Sequence, residues 1–176
     1  MPDLINHNQA RIACIIPTYN GRNELAQLLE SLNKQRSRFD LFVIDSSSSD
    51  GTYDLACSYT ENVESIPGIE FNHGGTRQLM VDRHPSYELY VFMTQDACLI
   101  DAHAINRLIA PLEDPSVGAV CGRQLPHVDA TPLADASKAS GVASAHRVRF
   151  PLGFHRRFSV QTPVPHRKEN TESKGA

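Results

Sequence analysis

Nowhere does this chain of 176 residues offer a run of about 18 apolar residues, the length a helical membrane span requires. Its start, MPDLINHNQARIACIIP, has no basic stretch leading into an apolar core, so it does not read as a secretory signal. Cysteine is sparse and scattered. Cys14, Cys57, Cys98 and Cys121 form no C-x-x-C pair, which argues against a structural zinc site and points to reduced thiols in a cytoplasmic chain. A basic excess is missing too. The formal charge is −3, and the cations Arg147, Arg149, Arg156, Arg157, Arg167, Lys168 and Lys174 crowd the end, leaving about −8 on the first 140 residues. An acidic body lacks the basic face of a nucleic-acid binder.

What is present suffices for one domain with a real core, at 40% apolar and 21% charged residues. RIACIIP (11–17) is a β-branched apolar run ended by Pro17 and reads as a buried strand. Leu25, Leu28, Leu29 and Leu32 recur at helical spacing, which predicts an amphipathic helix over 22–35, capped by Asn20 with Glu24 in its first turn. LFVID (41–45) is a second strand. Asp50 or Thr52 then opens a helix through Leu55, Ala56 and Tyr59. GIEF (68–71) is a weak third strand, followed by a glycine turn and helix in NHGGTRQLMVDR. ELYVFMT (88–94), DAHAINRLIAPL (101–112) and VGAVCGR (117–123) continue as strand, helix and strand.

Strands that are continuous apolar runs, alternating with helices, predict an α/β fold: a Rossmann-like, mostly parallel sheet with helices on both faces. Ligands of such sheets bind beyond the carboxyl ends of the strands. There the polar residues gather: Thr18, Tyr19 and Asn20, then Asp45, then Asn72 to Gly75, then Thr94, Gln95 and Asp96. Asp96 ends an apolar strand, where a carboxylate needs water, hydrogen bonds or a cation. The residue types alone leave bland alternatives open. Asp45 and Asp50 suit turn caps, Gly74 and Gly75 a tight turn with positive φ, and Arg77 a helix surface.

Four pieces in order, IIPTYNGRNELAQLLESL, VIDSSSSDGT, FNHGGTRQ and FMTQDA, resemble the donor-binding half of family 2 inverting glycosyltransferases of the GT-A fold. Within that family the serine-rich loop, the N-H-G-G-T-R turn and T-Q-D-A are most similar to bacterial rhamnosyltransferase-like members. GRQLPHVDATPL fits the same group, and the resemblance covers roughly 10–137. It implies a nucleotide site made by Pro17, Thr18, Tyr19, Asp45, Gly75, Arg77 and Gln95. Asp45 would read the edge of the nucleobase or the ribose, and Arg77 would meet a phosphate or orient Asp45. Asp96 matches the last acid of the D-x-D element that holds Mg²⁺ or Mn²⁺ on the donor diphosphate; Thr94 stands in place of the first acid. His127 and Asp129 would face the sugar or acceptor, or simply form a turn.

The implied reaction is inverting transfer of a sugar, rhamnose by the subgroup, to a polysaccharide or lipid-linked acceptor. The donor would be dTDP-rhamnose, with a UDP-sugar as the other choice. The implied place is the cytoplasm, including the inner face of the membrane. The regular pattern fails after 140, so the expected division is a donor-binding domain over 1–140 and an irregular or disordered basic tail over 141–176, with one short strand near 148–152. The acidic pair that supplies the family's general base has no counterpart there, since Glu169 and Glu172 sit in a charged tail. That composition change leads to the expectation of a truncated enzyme, its alternative being a non-catalytic nucleotide-binding remnant.

Overall fold

The computed structural model describes residues 10–122 together with two strand segments, 144–146 and 157–160. Strand β1 (Ile12–Thr18) lies at the centre, flanked by β2 (Asp40–Asp45) and β4 (Leu89–Phe92), both parallel to it. β3 (Val63–Ser65) pairs with β2, and on the far side β7 (Arg157–Val160) lies between β4 and β5 (Ala119–Cys121). β6 (Ser144–His146) closes that side antiparallel to β5, giving the order β3-β2-β1-β4-β7-β5-β6.

The three central strands are apolar on both faces because both are covered. Ile12, Cys14, Ile16, Val43, Leu89 and Val91 pack under Leu25, Leu28, Leu29 and Leu32 of α1 (Arg22–Asn33). Ile105, Leu108 and Ile109 of α4 (Ala104–Ile109) and Ala56 of α2 (Thr52–Cys57) join the same cluster. The alternate residues Ala13, Ile15, Phe42, Ile44, Tyr90 and Phe92 face Met80 and Val81 of α3 (His73–Arg83). A two-residue period thus sorts each strand between two layers, which is the expected α/β architecture. Cys14 lies within the first layer, where burial pushes its thiol up to about 12 and leaves it a small hydrophobe.

Three local expectations are corrected. The strand expected at 68–71 is a 3-10 turn over Gly68–Glu70, and the edge strand lies earlier, at Val63–Ser65. Pro67 turns the chain away from β2, its carbonyl accepts from the Glu70 N–H, and Ile69 is left 95% exposed. Pro17 does not end β1; the strand runs through it to Thr18. Met93 N–H donates to the Ile15 carbonyl, so the groups of Ile15 point toward β4, and by the strand's alternation those of Pro17 do too. β4 has stopped pairing at Phe92, opposite Ile15, and the missing N–H of Pro17 costs nothing there. The helix expected to run to 112 ends at Ile109 and tightens into a 3-10 turn around Pro111.

The end of the chain, expected to be irregular for the most part, contributes two short strands. Residues 144–146 and 157–160 are strands, and β7 is an interior one, paired on both edges. Four residues carry too little period to be read alone; the open edges of β4 and β5 decide their pairing. The strand expected near 148–152 lies outside the described residues. Among the described residues no helix is long and apolar enough to cross a membrane.

Leu28 is fully buried between α1 and the sheet. Leu28→Ala should lower stability by about 2–5 kcal/mol, the cost of lost burial plus a cavity, as read from denaturant unfolding.

Candidate functional site

The strand order reverses at β1: the chain steps outward to β2 and β3, then returns to lay β4 on the other side. The carboxyl ends of β1, β2 and β4 therefore meet at a switch point, where sheets of this kind place their ligands.

Asp45, the last residue of β2, is only 1% exposed. Its Oδ1 accepts from Thr18 Oγ1 at 3.0 Å and from Ser48 Oγ at 2.6 Å. Its Oδ2 accepts from the Ser48 N–H at 2.8 Å. An ionised carboxylate has about four acceptor directions, so one remains, on Oδ2. A polar groove of about 410 Å³ opens there, lined by Asp45, Ser47, Ser48, Ser49, Tyr53 and Ser65 among others. Ser47 is held at φ 62°, a left-handed conformation unusual for serine, while its hydroxyl donates to the Ile66 carbonyl.

The serine loop is stitched to the loop after β1. Asn20 does not cap α1 as expected, because it too is left-handed, at φ 42°. Its N–H donates to Ser48 Oγ at 2.8 Å and its side-chain oxygen accepts from the Ser49 N–H at 2.9 Å. The start of α1 is capped from across the cleft. Arg22 N–H donates to Asp50 Oδ2 at 3.1 Å, and Gly21 N–H to Thr52 Oγ1 at 3.0 Å. The other Asp50 oxygen accepts from the N–H and hydroxyl of Thr52, at the head of α2. Asp50 thus serves two helix starts, where a carboxylate is favoured. The Thr52 hydroxyl and the backbone donors hold its pKa below the usual carboxylate value.

At the end of β4, residues 94–97 form a turn closed by Ala97 N–H to the Thr94 carbonyl at 3.0 Å. Gln95 turns inward. Its Oε1 accepts from the Tyr19 N–H at 2.8 Å and its Nε2 donates to the Tyr19 carbonyl at 3.1 Å. Asp96 is exposed at the turn's tip. The Thr94 hydroxyl is buried without a hydrogen-bond partner.

The structure therefore brings Thr18, Tyr19, Asp45 and Gln95 together, with Asp96 beside Gln95 and Pro17 behind Thr18. Gly75 and Arg77 stand on the first turns of α3. Asn72 caps that helix, its side-chain oxygen accepting from the N–H groups of Gly74 and Gly75 at 3.0 and 2.9 Å. Both glycines lie inside the helix rather than in a positive-φ turn. Arg77 donates through Nη1 to the His73 carbonyl at 2.6 Å and has no acidic partner among the described residues, so it does not orient Asp45. Its Nε is buried and unpartnered, and burial lowers the guanidinium's pKa. His127 and Asp129 lie outside the described residues. Ser48 and Tyr53 were not foreseen individually; the run Ser46–Ser49 was the only signal, and it reads equally as a solvated loop.

Among the described residues no three His, Cys, Asp or Glu gather as a metal cluster. The exposed carboxylate of Asp96 nevertheless suits a hard cation that takes most of its oxygens from phosphates and water.

The profile of the family described as Glycosyl transferase family 2 matches residues 13–167. The chain is 44% identical over 126 residues to the O-antigen chain rhamnosyltransferase RfbN of Salmonella typhimurium, covering 70% of this chain and 40% of that one. It is 43% identical over 122 residues to the O-antigen chain rhamnosyltransferase WbaN of Salmonella anatum, covering 68% and 39%. The chain thus spans about 40% of the length of these curated relatives. Among solved structures it is similar to the mannosyltransferase PcManGT from Pyrobaculum calidifontis in complex with GDP-Man and Mn²⁺, at TM-score 0.56 and 23% identity over 65% of this chain and 36% of that one. Staphylococcus aureus TarS gives a TM-score of 0.51 at 24% identity, covering 66% and 23%. These likenesses show the fold, which is GT-A-like.

Because folding depresses the Asp50 pKa, its contribution to stability is full above the ordinary carboxylate pKa, near 3.8, and fades as pH falls through the lower folded value. Asp50→Asn should flatten that acid limb of an unfolding-against-pH curve and lower stability at neutral pH. An unchanged acid limb would show that Asp50 does not cap the two helices.

Proposed function

The chain belongs to glycosyl transferase family 2, and from that premise we propose that it forms the donor-binding half of an inverting rhamnosyltransferase. The donor is a nucleoside-diphosphate sugar, dTDP-rhamnose in preference to a UDP-sugar, and the acceptor a polysaccharide or lipid-linked glycan. The similarity to two O-antigen chain rhamnosyltransferases supports the choice of sugar and acceptor class.

The observation that carries the reading is the division of labour at the switch point. Asp45 is buried with one acceptor direction left over and a polar groove beside it. Asp96 is exposed beyond the end of β4, on the other side of β1. The first suits a single N–H donor such as N3–H of a thymine or uracil ring. Thr18 keeps Asp45 oriented through its hydroxyl, and exposed Tyr19 with Pro17 forms the adjoining wall. The desolvated fork of Arg77, unpaired with any described acid, suits a phosphate near Gly75 at the start of α3. Asp96 would hold Mg²⁺ or Mn²⁺, whose chemistry is to neutralise the diphosphate as it leaves. In an inverting transfer a base deprotonates the acceptor hydroxyl opposite the diphosphate; no residue is assigned to that step.

Calorimetry of dTDP and UDP with and without Mn²⁺ tests the donor site. Mn²⁺-dependent binding is expected in the wild type, stronger for dTDP. Asp96→Ala should weaken it by about 1.5–3 kcal/mol, roughly ten- to hundredfold in Kd, the range for contacts to a charged group. Absence of nucleotide binding, or an Asp96→Ala variant that binds like the wild type, would overturn the assignment.

A further inference from the structure

We propose that Gln95 is a positioning residue rather than a donor contact: its amide locks the loop after β1 to the turn after β4 and so sets where Asp96 stands relative to Asp45. The inference rests on the proposed donor site and reassigns one of its residues.

The argument begins with the alternation along β1. Backbone groups of successive residues point to opposite neighbours. Ile15 accepts from Met93 on the β4 side, and Thr18 accepts from the Ser46 N–H on the β2 side. By that period Pro17 and Tyr19 face β4. Pro17 has no N–H to offer, and β4 has already left the ladder. Tyr19 is therefore the next residue on that side whose N–H and carbonyl both need partners. Both are taken by the Gln95 side chain, at 2.8 and 3.1 Å. A primary amide presents an acceptor and a donor side by side, as one strand residue does with its own C=O and N–H, so it extends the ladder where the backbone has turned away. One lone pair of its oxygen and one of its N–H groups are engaged by Tyr19, and that pair of bonds fixes the direction of the amide.

Gly21 supplies an independent observation. A Cβ there would stand 2.1 Å from Gln95 Nε2, 2.4 Å from Cδ and 2.9 Å from Oε1. Its φ of −139° is open to any residue, so backbone conformation does not require glycine. A side chain there would have to push the Gln95 amide aside. Gly21 is also the residue that begins α1, so the latch ties Asp96, one residue beyond Gln95, to the helix and the loop that orient Thr18 and Tyr19. A diphosphate held by its nucleoside at one end and its cation at the other is sensitive to that spacing.

The experiment compares wild type, Gln95→Ala, Gly21→Ala and the double variant in the full chain. Amide hydrogen exchange at Tyr19 reads the latch itself. It should be slow in the wild type and fast in all three variants. Calorimetry with dTDP then reads positioning. The ratio of affinities with and without Mn²⁺ should fall by about tenfold in each single variant, the scale on which supporting contacts tune metal sites. The double variant should lose no more than either single, since both break one contact. Thermal unfolding identifies a variant that fails to fold, and two separate single variants keep the test open. A merely structural role would lower the unfolding temperature and metal-free binding while leaving the ratio intact, and would overturn the proposal. So would additive losses, or Tyr19 exchange unchanged by Gln95→Ala. A wild type without any Mn²⁺-dependent gain would instead overturn the donor-site reading, and the positioning role with it. Tyr19 exchange would still report whether the latch exists.

Discussion

A carboxylate cannot be buried at the end of an apolar strand unless donors are brought to it, and at Asp45 the loops of the cleft are arranged to supply them. With no ion pair to it among the described residues, three hydrogen bonds, from the Thr18 and Ser48 hydroxyls and the Ser48 N–H, replace the water it has lost. Meeting that demand draws the serine loop back over the strand end. Once there, the loop lies against residues 20–22, and Asn20, Gly21 and Arg22 find their partners on it rather than on their own segment. The strained Ser47 follows from the same folding-back.

On the other side of β1 the constraint is a shortage of backbone rather than a surplus of charge. The ladder with β4 ends at Ile15 and Phe92, yet β1 runs on to Thr18 because β2 continues beside it. A proline fills one of the unmatched positions without cost, and a glutamine side chain satisfies the other. Asp45 and its groove lie at the end of β2 on one side of β1, and exposed Asp96 lies beyond the end of β4 on the other. The two halves of the site thus have different physical origins: a buried charge seeking donors, and a strand whose partner has left.

Much of this was legible in the sequence. The strands expected at 11–17, 41–45 and 88–94 announce themselves because each is built on a continuous apolar run, and the leucines of α1 because they recur on one face. The expectation that polar residues gather at strand ends needed no coordinates, and Thr18 does meet Asp45, as Tyr19 meets Gln95. The failures are of one kind. Asn20 was read as the cap of the helix beside it, whereas Asp50, 28 residues beyond Arg22, does the capping. An isoleucine and a phenylalanine suggested a strand at 68–71, but Pro67 had already turned the chain. No strand was expected at 157–160, yet that segment supplies β7 to the interior of the sheet.

The sequence by itself determined which strands are buried on both faces, the helices that cover them, and the polar character of the strand ends. Those are properties of hydrophobic periodicity, which each segment carries in its own residues. Only the tertiary structure decided which polar group meets which: Ser48 with Asp45, Asp50 with Arg22, Gln95 with Tyr19 at a separation of 76 residues. It also decided that a four-residue segment would lie between β4 and β5. A hydrogen bond or an edge pairing needs a partner brought within about 3 Å, and the topology, not the local pattern, sets that distance.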